Sequence, residues 1–101
     1  MAEMKGAEAL VETLKQYKID TIFTVPGVQL DNLFDVLYDY QNDFKLIHCR
    51  HEQATGYMAF GFAQSTGKVG TNLIVPGPGL LNAGAALATA HACSAPVLCL
   101  A

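Results

Sequence analysis

Residues 44–75 read FKLIHCRHEQATGYMAFGFAQSTGKVGTNLIV. Phe44 to Cys49 is a short apolar strand. His51 to Ser65 is a helix in which Gly56, Ala59, Gly61 and Ala63 are small enough to let neighbours approach closely. The glycines cost helix propensity. Gly67 ends the helix as a C-terminal cap. Thr71 to Val75 then returns to strand. Parallel strands need such a crossover helix, so this run predicts one parallel strand–helix–strand unit.

The same alternation continues on both sides. Towards the N-terminus, residues 5–17 carry Ala9, Leu10, Thr13, Leu14 and Tyr17 at helical spacing. Asp20 to Val25 reads as a buried strand closed by Pro26-Gly27. A helix over Asp31 to Tyr40 has a dry face of Leu30, Leu33, Phe34, Leu37 and Tyr38. Towards the C-terminus, Gly77-Pro78-Gly79 is a turn, Leu80 to Cys93 a single helix, and Ala95 to Ala101 the start of another strand. The pattern predicts an α/β fold with a parallel sheet flanked by helices. It also places three loops at the carboxyl ends of strands: Val25 to Val28, His48 to Glu52, and Val75 to Gly79. Ligands of open α/β sheets bind outside those ends.

The chain has 101 residues, 51% apolar and 15% charged, with a net charge of −3. Fourteen of the fifteen charged side chains lie in residues 1–52, and Lys68 alone follows. Amphipathic helices normally keep a polar stripe, so residues 53–101 are expected to be covered in part by a second subunit or by further chain. An acidic chain without a basic cluster argues against nucleic acid or an anionic membrane surface as partner. No apolar stretch is long enough to span a bilayer. The start, MAEMKGAEAL, does not read as a signal peptide. Cys49, Cys93 and Cys99 are odd in number and lack metal-ligand spacing; they read as reduced, packed thiols of a cytoplasmic protein. The sequence stops inside the apolar run Pro96 to Ala101, and the chain is expected to be part of a larger domain.

Glu52 is the last carboxylate of the chain and stands at the mouth of the sheet. A glutamate in the first turn of a helix can simply satisfy free N–H groups and the dipole. An acid in this loop, facing a nearly uncharged half, also suits proton exchange with a ligand. His51 could orient Glu52 or Arg50. The histidines His48, His51 and His91 form no helical metal pair, and no metal ligand is assigned. Gly77-Pro78-Gly79 lacks the third glycine of a dinucleotide fingerprint, and no acid follows to hold a ribose, so NAD binding is a distant reading. A non-catalytic α/β module that oligomerises through its apolar half is the other class of reading.

Three segments in register resemble the thiamine-diphosphate enzymes of the acetolactate synthase and pyruvate oxidase group. They are Gly6 to Leu10 with Ile22 to Gly27; Arg50 to Ala59 with Gly61 to Ala63 and Thr66 to Lys68; and Gly77 to Asn82 with Ala88 to Ala90 and Ser94 to Val97. The resemblance implies the N-terminal pyrimidine-binding domain, in part, over residues 1–101. It implies that Glu52 hydrogen-bonds N1′ of the cofactor's aminopyrimidine and favours the tautomer whose 4′ nitrogen removes the thiazolium C2 proton. It also assigns Pro26, Gly27, Pro78 and Asn82 to pyrimidine contacts. The substrate class implied is a 2-keto acid, in a carboligase, decarboxylase or oxidase.

In that family Mg²⁺ and the diphosphate are held by a separate domain with a Gly-Asp-Gly motif, which these residues lack. That domain comes from the facing subunit of a homo-oligomer, a dimer or tetramer, so the isolated chain is expected to be inactive. A flavin, FAD, is compatible with the family, and nothing in this sequence indicates one. Two departures stand out. Val28 replaces a frequent second glycine and is expected to narrow the entrance. Val75 and Pro76 stand where some decarboxylases carry a histidine.

Overall fold

Among the described residues every strand is four residues long, and all four end on the same row. The computed structural model describes residues 3–101; residues 1–2, the start of the stretch read for a leader, lie outside them. In chain order the elements are α1 (Gly6–Gln16), β1 (Thr21–Thr24), a 3₁₀ turn (Val28–Leu30), α2 (Asp31–Asp39), β2 (Lys45–His48), α3 (Glu52–Thr66), β3 (Gly70–Leu73), α4 (Pro78–Asn82), α5 (Gly84–Ala92) and β4 (Val97–Leu100). The strands form one parallel sheet in the order β2-β1-β3-β4. The α/β fold expected from the alternation is therefore present. Register pairs Thr24 with His48 and with Leu73, and Leu73 with Leu100, so the carboxyl ends are level.

Side-chain alternation along the strands separates two faces. Ile22 and Leu73 join Val11 and Leu14 of α1 and Leu33 and Leu37 of α2 in one apolar cluster. Phe23 turns to the opposite face, where its ring meets Phe62 of α3 edge-on at 6.1 Å between centroids. On that second face α3 packs against α5. The end of α2 is also tied to α1: the Tyr40 hydroxyl donates to Glu12 at 3.3 Å, and the Lys15 ammonium lies 5.0 Å from the Tyr40 ring centre.

The short helices end as their residues dictate. The Lys5 backbone N–H donates to the Glu8 carboxylate at 3.1 Å, which satisfies one free donor at the start of α1. Gly67 takes the left-handed conformation, φ 73°, and its N–H closes α3 onto the Ala63 carbonyl at 2.9 Å. Gly70 is fully covered: a side-chain carbon there would overlap the Ala59 carbonyl. This contact brings α3 onto β3.

Two local expectations change. The single helix expected over residues 80–93 is two helices, and the first starts earlier, with Pro78 in its first turn, where a fixed φ suits a helix start. The break falls at Ala83, whose N–H is shared between the Gly79 and Leu80 carbonyls at 3.2 Å each. Ala83 and Ala86 are fully buried there, and a side-chain carbon on Gly56 would stand 2.6 Å from the Ala86 Cβ. The close approach expected of α3 is thus made at Gly56. At Gly61 the space is open.

Candidate functional site

The strand order reverses direction at β1: β2 lies on one side of it, β3 and β4 on the other. The crevice between the carboxyl ends of β1 and β3 is therefore the topological switch point, where open α/β sheets place their ligands. The two strand ends are locked together there by the Thr24 hydroxyl, which donates to the Leu73 carbonyl at 2.6 Å in the buried sheet.

Beyond that lock, the three loops singled out in the sequence meet around Val75. Gly27 is in extended backbone, and a side-chain carbon on it would overlap the Val75 Cγ1. A side-chain carbon on Gly79 would stand 2.8 Å from the Val75 Cγ2 and 3.6 Å from both Cγ and Oε2 of Glu52. The valine is thus wedged between two glycines, and Glu52 lies directly against the second. Pro26 and Pro78, each next to one of these glycines, are exposed. Gly77 makes the turn into α4 at φ 78°. A small side chain is required at positions 27 and 79 by packing, and at 77 by backbone conformation.

Glu52 is the first residue of α3 and is half-buried. The capping role open to it in the sequence is taken by its neighbour: the His51 Nδ1 accepts the Gln53 backbone N–H at 3.0 Å. One ring nitrogen of His51 is thus engaged in closing the helix start. The Glu52 carboxylate is left to face Asn82, whose side-chain amide donates to Oε1 at 3.2 Å across 30 residues of sequence. Pro26 and Gly27 in the first loop, Glu52 at the start of α3, and Pro78 and Asn82 at the two ends of α4 are therefore brought to one place, beside Val75. A half-buried carboxylate can hold or share a proton with a basic ring nitrogen, and a neighbouring amide can steady it while doing so.

Other chemistry-bearing residues stand apart or are unreactive. His48 is exposed at the end of β2, and His91 is exposed on α5. Cys49 flanks the site with its Sγ 3.4 Å from the Met58 Sδ, and burial pushes its thiol pKa up, away from a thiolate nucleophile. Burial does the same to Cys99, partly offset by a hydrogen bond from Asn72. Cys93 is exposed, so not all three thiols are packed as expected. Val28 is 82% exposed and opens the 3₁₀ turn. Two grooves lie away from Glu52. One, by Asp20 and Lys68, is at the amino ends of the strands, and an apolar one runs between α1 and β4 past Leu10, Leu98 and Leu100.

Two features of the site were not read from the sequence. In the sequence Val75 ends a strand, opens the third loop and stands where some decarboxylases carry a histidine; its wedge role needs three loops in place. Thr55 and Asn72, both fully buried beneath Glu52, are the second. The available signal was Asn72 itself, a polar residue directly before the apolar run Leu73 to Val75.

Known proteins with similar sequences carry related names. A probable acetolactate synthase large subunit of Methanocaldococcus jannaschii is 41% identical over 97 residues, 96% of this chain and 16% of that protein. The acetolactate synthase large subunit of Haemophilus influenzae is 37% identical over 98 residues, 97% of this chain and 17% of its own length. A probable 2-ketoarginine decarboxylase of Pseudomonas aeruginosa is 37% identical over 95 residues, 94% of this chain and 17% of its length. The chain thus spans about a sixth of the length of these relatives. The family model described as "Thiamine pyrophosphate enzyme, N-terminal TPP binding domain" matches residues 4–101, and with the parallel sheet and its switch-point crevice this leads to one conclusion: the chain belongs to that family of thiamine-diphosphate-binding domains.

Proposed function

We propose that this chain is the pyrimidine-binding part of a thiamine-diphosphate enzyme acting on a 2-keto acid, an acetolactate synthase-like carboligase or decarboxylase, in which Glu52 activates the cofactor. The observation that carries the reading is the Asn82–Glu52 hydrogen bond at the switch point, 3.2 Å long, on loops that converge around Val75. The residues fit a flat aminopyrimidine. Pro26 and Pro78 offer rigid apolar edges, Gly27 leaves the backbone bare beside them, and the carboxylate and amide supply polar contacts at a ring's rim. Bound thiamine diphosphate would supply a thiazolium whose C2 becomes a nucleophile once its proton is removed and whose ring takes up electrons on decarboxylation. Glu52 would hold a proton at the pyrimidine N1′, and Asn82 would keep the carboxylate aimed.

The rest of the active site is assigned to parts outside residues 1–101. Mg²⁺ and the diphosphate would be held by a separate domain, contributed by the facing subunit of a cytoplasmic homo-oligomer. The exposed apolar side chains of Tyr57, Met58, Leu80 and Leu81 support such a cover over the charge-poor half. A non-catalytic α/β module would use the same apolar surface, but the relatives named above carry enzyme names, which favours the catalytic reading.

The test is Glu52→Gln in the complete enzyme. The variant keeps shape and loses the acid, and C2–H exchange of bound cofactor is expected to slow by about 10²–10⁴-fold, the usual contribution of a positioned acid or base. Exchange at the native rate would remove Glu52 from this role.

A further inference from the structure

Beneath Glu52 runs a buried chain of polar contacts that the proposed reaction does not itself require. The Asn72 side-chain amide donates to the Thr55 hydroxyl at 3.1 Å. The Thr55 hydroxyl in turn donates to the Glu52 backbone carbonyl at 2.6 Å. Thr55 and Asn72 are both fully buried. Asn72 stands on the central strand β3, paired with Phe23 on one side and Cys99 on the other, so its backbone is held from both flanks. The relay therefore begins on an interior strand of the sheet and ends on the first residue of α3.

Asn72 also bears a cost. Its Oδ1 has no hydrogen-bond partner, and a buried unpaired acceptor is unfavourable where an apolar side chain of the same shape would not be. The strand around it is otherwise well served by Leu73 and Ile74, both buried. Beside its contact with the Cys99 thiol, what the other end of this asparagine does is to grip Thr55.

We infer that Thr55 and Asn72 are positioning residues for Glu52: they pin the first turn of α3 from below, through the Glu52 carbonyl, so that the carboxylate above stays aimed into the crevice. His51 pins the same turn from its open end through the Gln53 N–H, and Asn82 holds the carboxylate itself. The carboxylate is thus fixed at its tip by Asn82 and at its root by the sheet. Small displacements of a reacting group are costly, because reaction needs near-contact geometry. The inference rests on the role proposed for Glu52, and its test separates the two.

Thr55→Val removes the hydroxyl at nearly constant volume, and Thr55→Ser restores it. Asn72→Leu removes the amide. In the complete cofactor-bound enzyme, Thr55→Val and Asn72→Leu are each expected to slow C2–H exchange about 10-fold, a fraction of the roughly 100-fold that a 1 Å misplacement can cost. The double variant should be no slower than the worse single one, because the two residues act in series. Thr55→Ser should return to the native rate, and cofactor affinity should stay within about twofold throughout. In the cofactor-free protein, amide hydrogen exchange in the first turn of α3 should rise at Gly56 in Thr55→Val and fall back in Thr55→Ser.

If Thr55→Val only lowers the melting temperature while both exchange rates stay native, the relay is merely structural and the inference fails. If Glu52→Gln leaves C2–H exchange unchanged, the role of Glu52 fails first. If Glu52→Gln slows it and Thr55→Val and Asn72→Leu do not, Glu52 keeps its role and the positioning inference alone is lost.

Discussion

A single valine side chain decides how tightly the loops at the sheet's end can close. Val75 presents one γ-carbon to Gly27 and the other to Gly79, and neither glycine has room for a Cβ. The demand at these two positions is steric, since Gly27 is in extended backbone that any residue adopts. Gly79→Ala is therefore expected to cost about 1–3 kcal/mol, the usual range for overpacking a tight site. The same change with Val75→Ala should recover much of that loss, because the colliding carbon is gone. Urea unfolding of the two single variants and the double variant measures the coupling; strict additivity would show that the wedge is not a shared contact. Glu52 shows a different kind of residue-scale outcome. Its position in a first turn was legible, but the neighbour that caps the helix was not, because His51 and Glu52 could each have done so.

At the scale of elements, α3 carries the site and two glycines set how it sits. Gly67 ends the helix in the left-handed region, and Gly70 lets the next strand touch the helix backbone. The two glycines should respond differently to alanine. Gly67→Ala places a Cβ in open space but in an unfavourable conformation, at about 1–2 kcal/mol. Gly70→Ala drives a Cβ into the Ala59 carbonyl, where backbone must move, and should cost about 3 kcal/mol or more. At roughly 4–8 °C per kcal/mol for a domain of this size, thermal unfolding distinguishes them readily. Equal losses would mean that the α3–β3 contact is soft. The existence and order of these elements followed from apolar spacing. The break at Ala83 did not: Asn82 and Gly84 flank it, but the apolar run continues on both sides and single residues of these types are tolerated inside helices; burial of Ala83 and Ala86 against Gly56 goes with the break.

For the whole molecule, the sheet order brings Glu52 to Asn82 but leaves the surface around them open and apolar, with Leu81 81% exposed. On the proposed reading half a site of this kind should bind its cofactor poorly, since the residues proposed for it contact a ring and the diphosphate is assigned to another domain. Calorimetric titration of residues 1–101 with thiamine diphosphate and Mg²⁺ is expected to show weak binding or none. Tight, Mg²⁺-dependent binding would mean that this domain holds the diphosphate itself. Light scattering with and without the cofactor adds the complementary measurement: assembly that ignores the cofactor is what a non-catalytic module would show.

The amino-acid sequence alone determined the class of fold and the three loops that matter. Helical and strand periodicities are local properties, and a Pro-Gly or Gly-Pro-Gly step after a strand marks a loop wherever it stands. The registered motifs around Glu52 also pointed to the family that the comparisons establish. Only the tertiary structure decided which groups meet. Asn82 reaches Glu52 over 30 residues, Asn72 reaches Thr55 over 17, and Val75 fills the gap between Gly27 and Gly79. Those contacts depend on the strand order β2-β1-β3-β4, which places β1 and β3 side by side. No local pattern encodes a neighbour across a sheet; it is settled when the crossovers bury both faces at once.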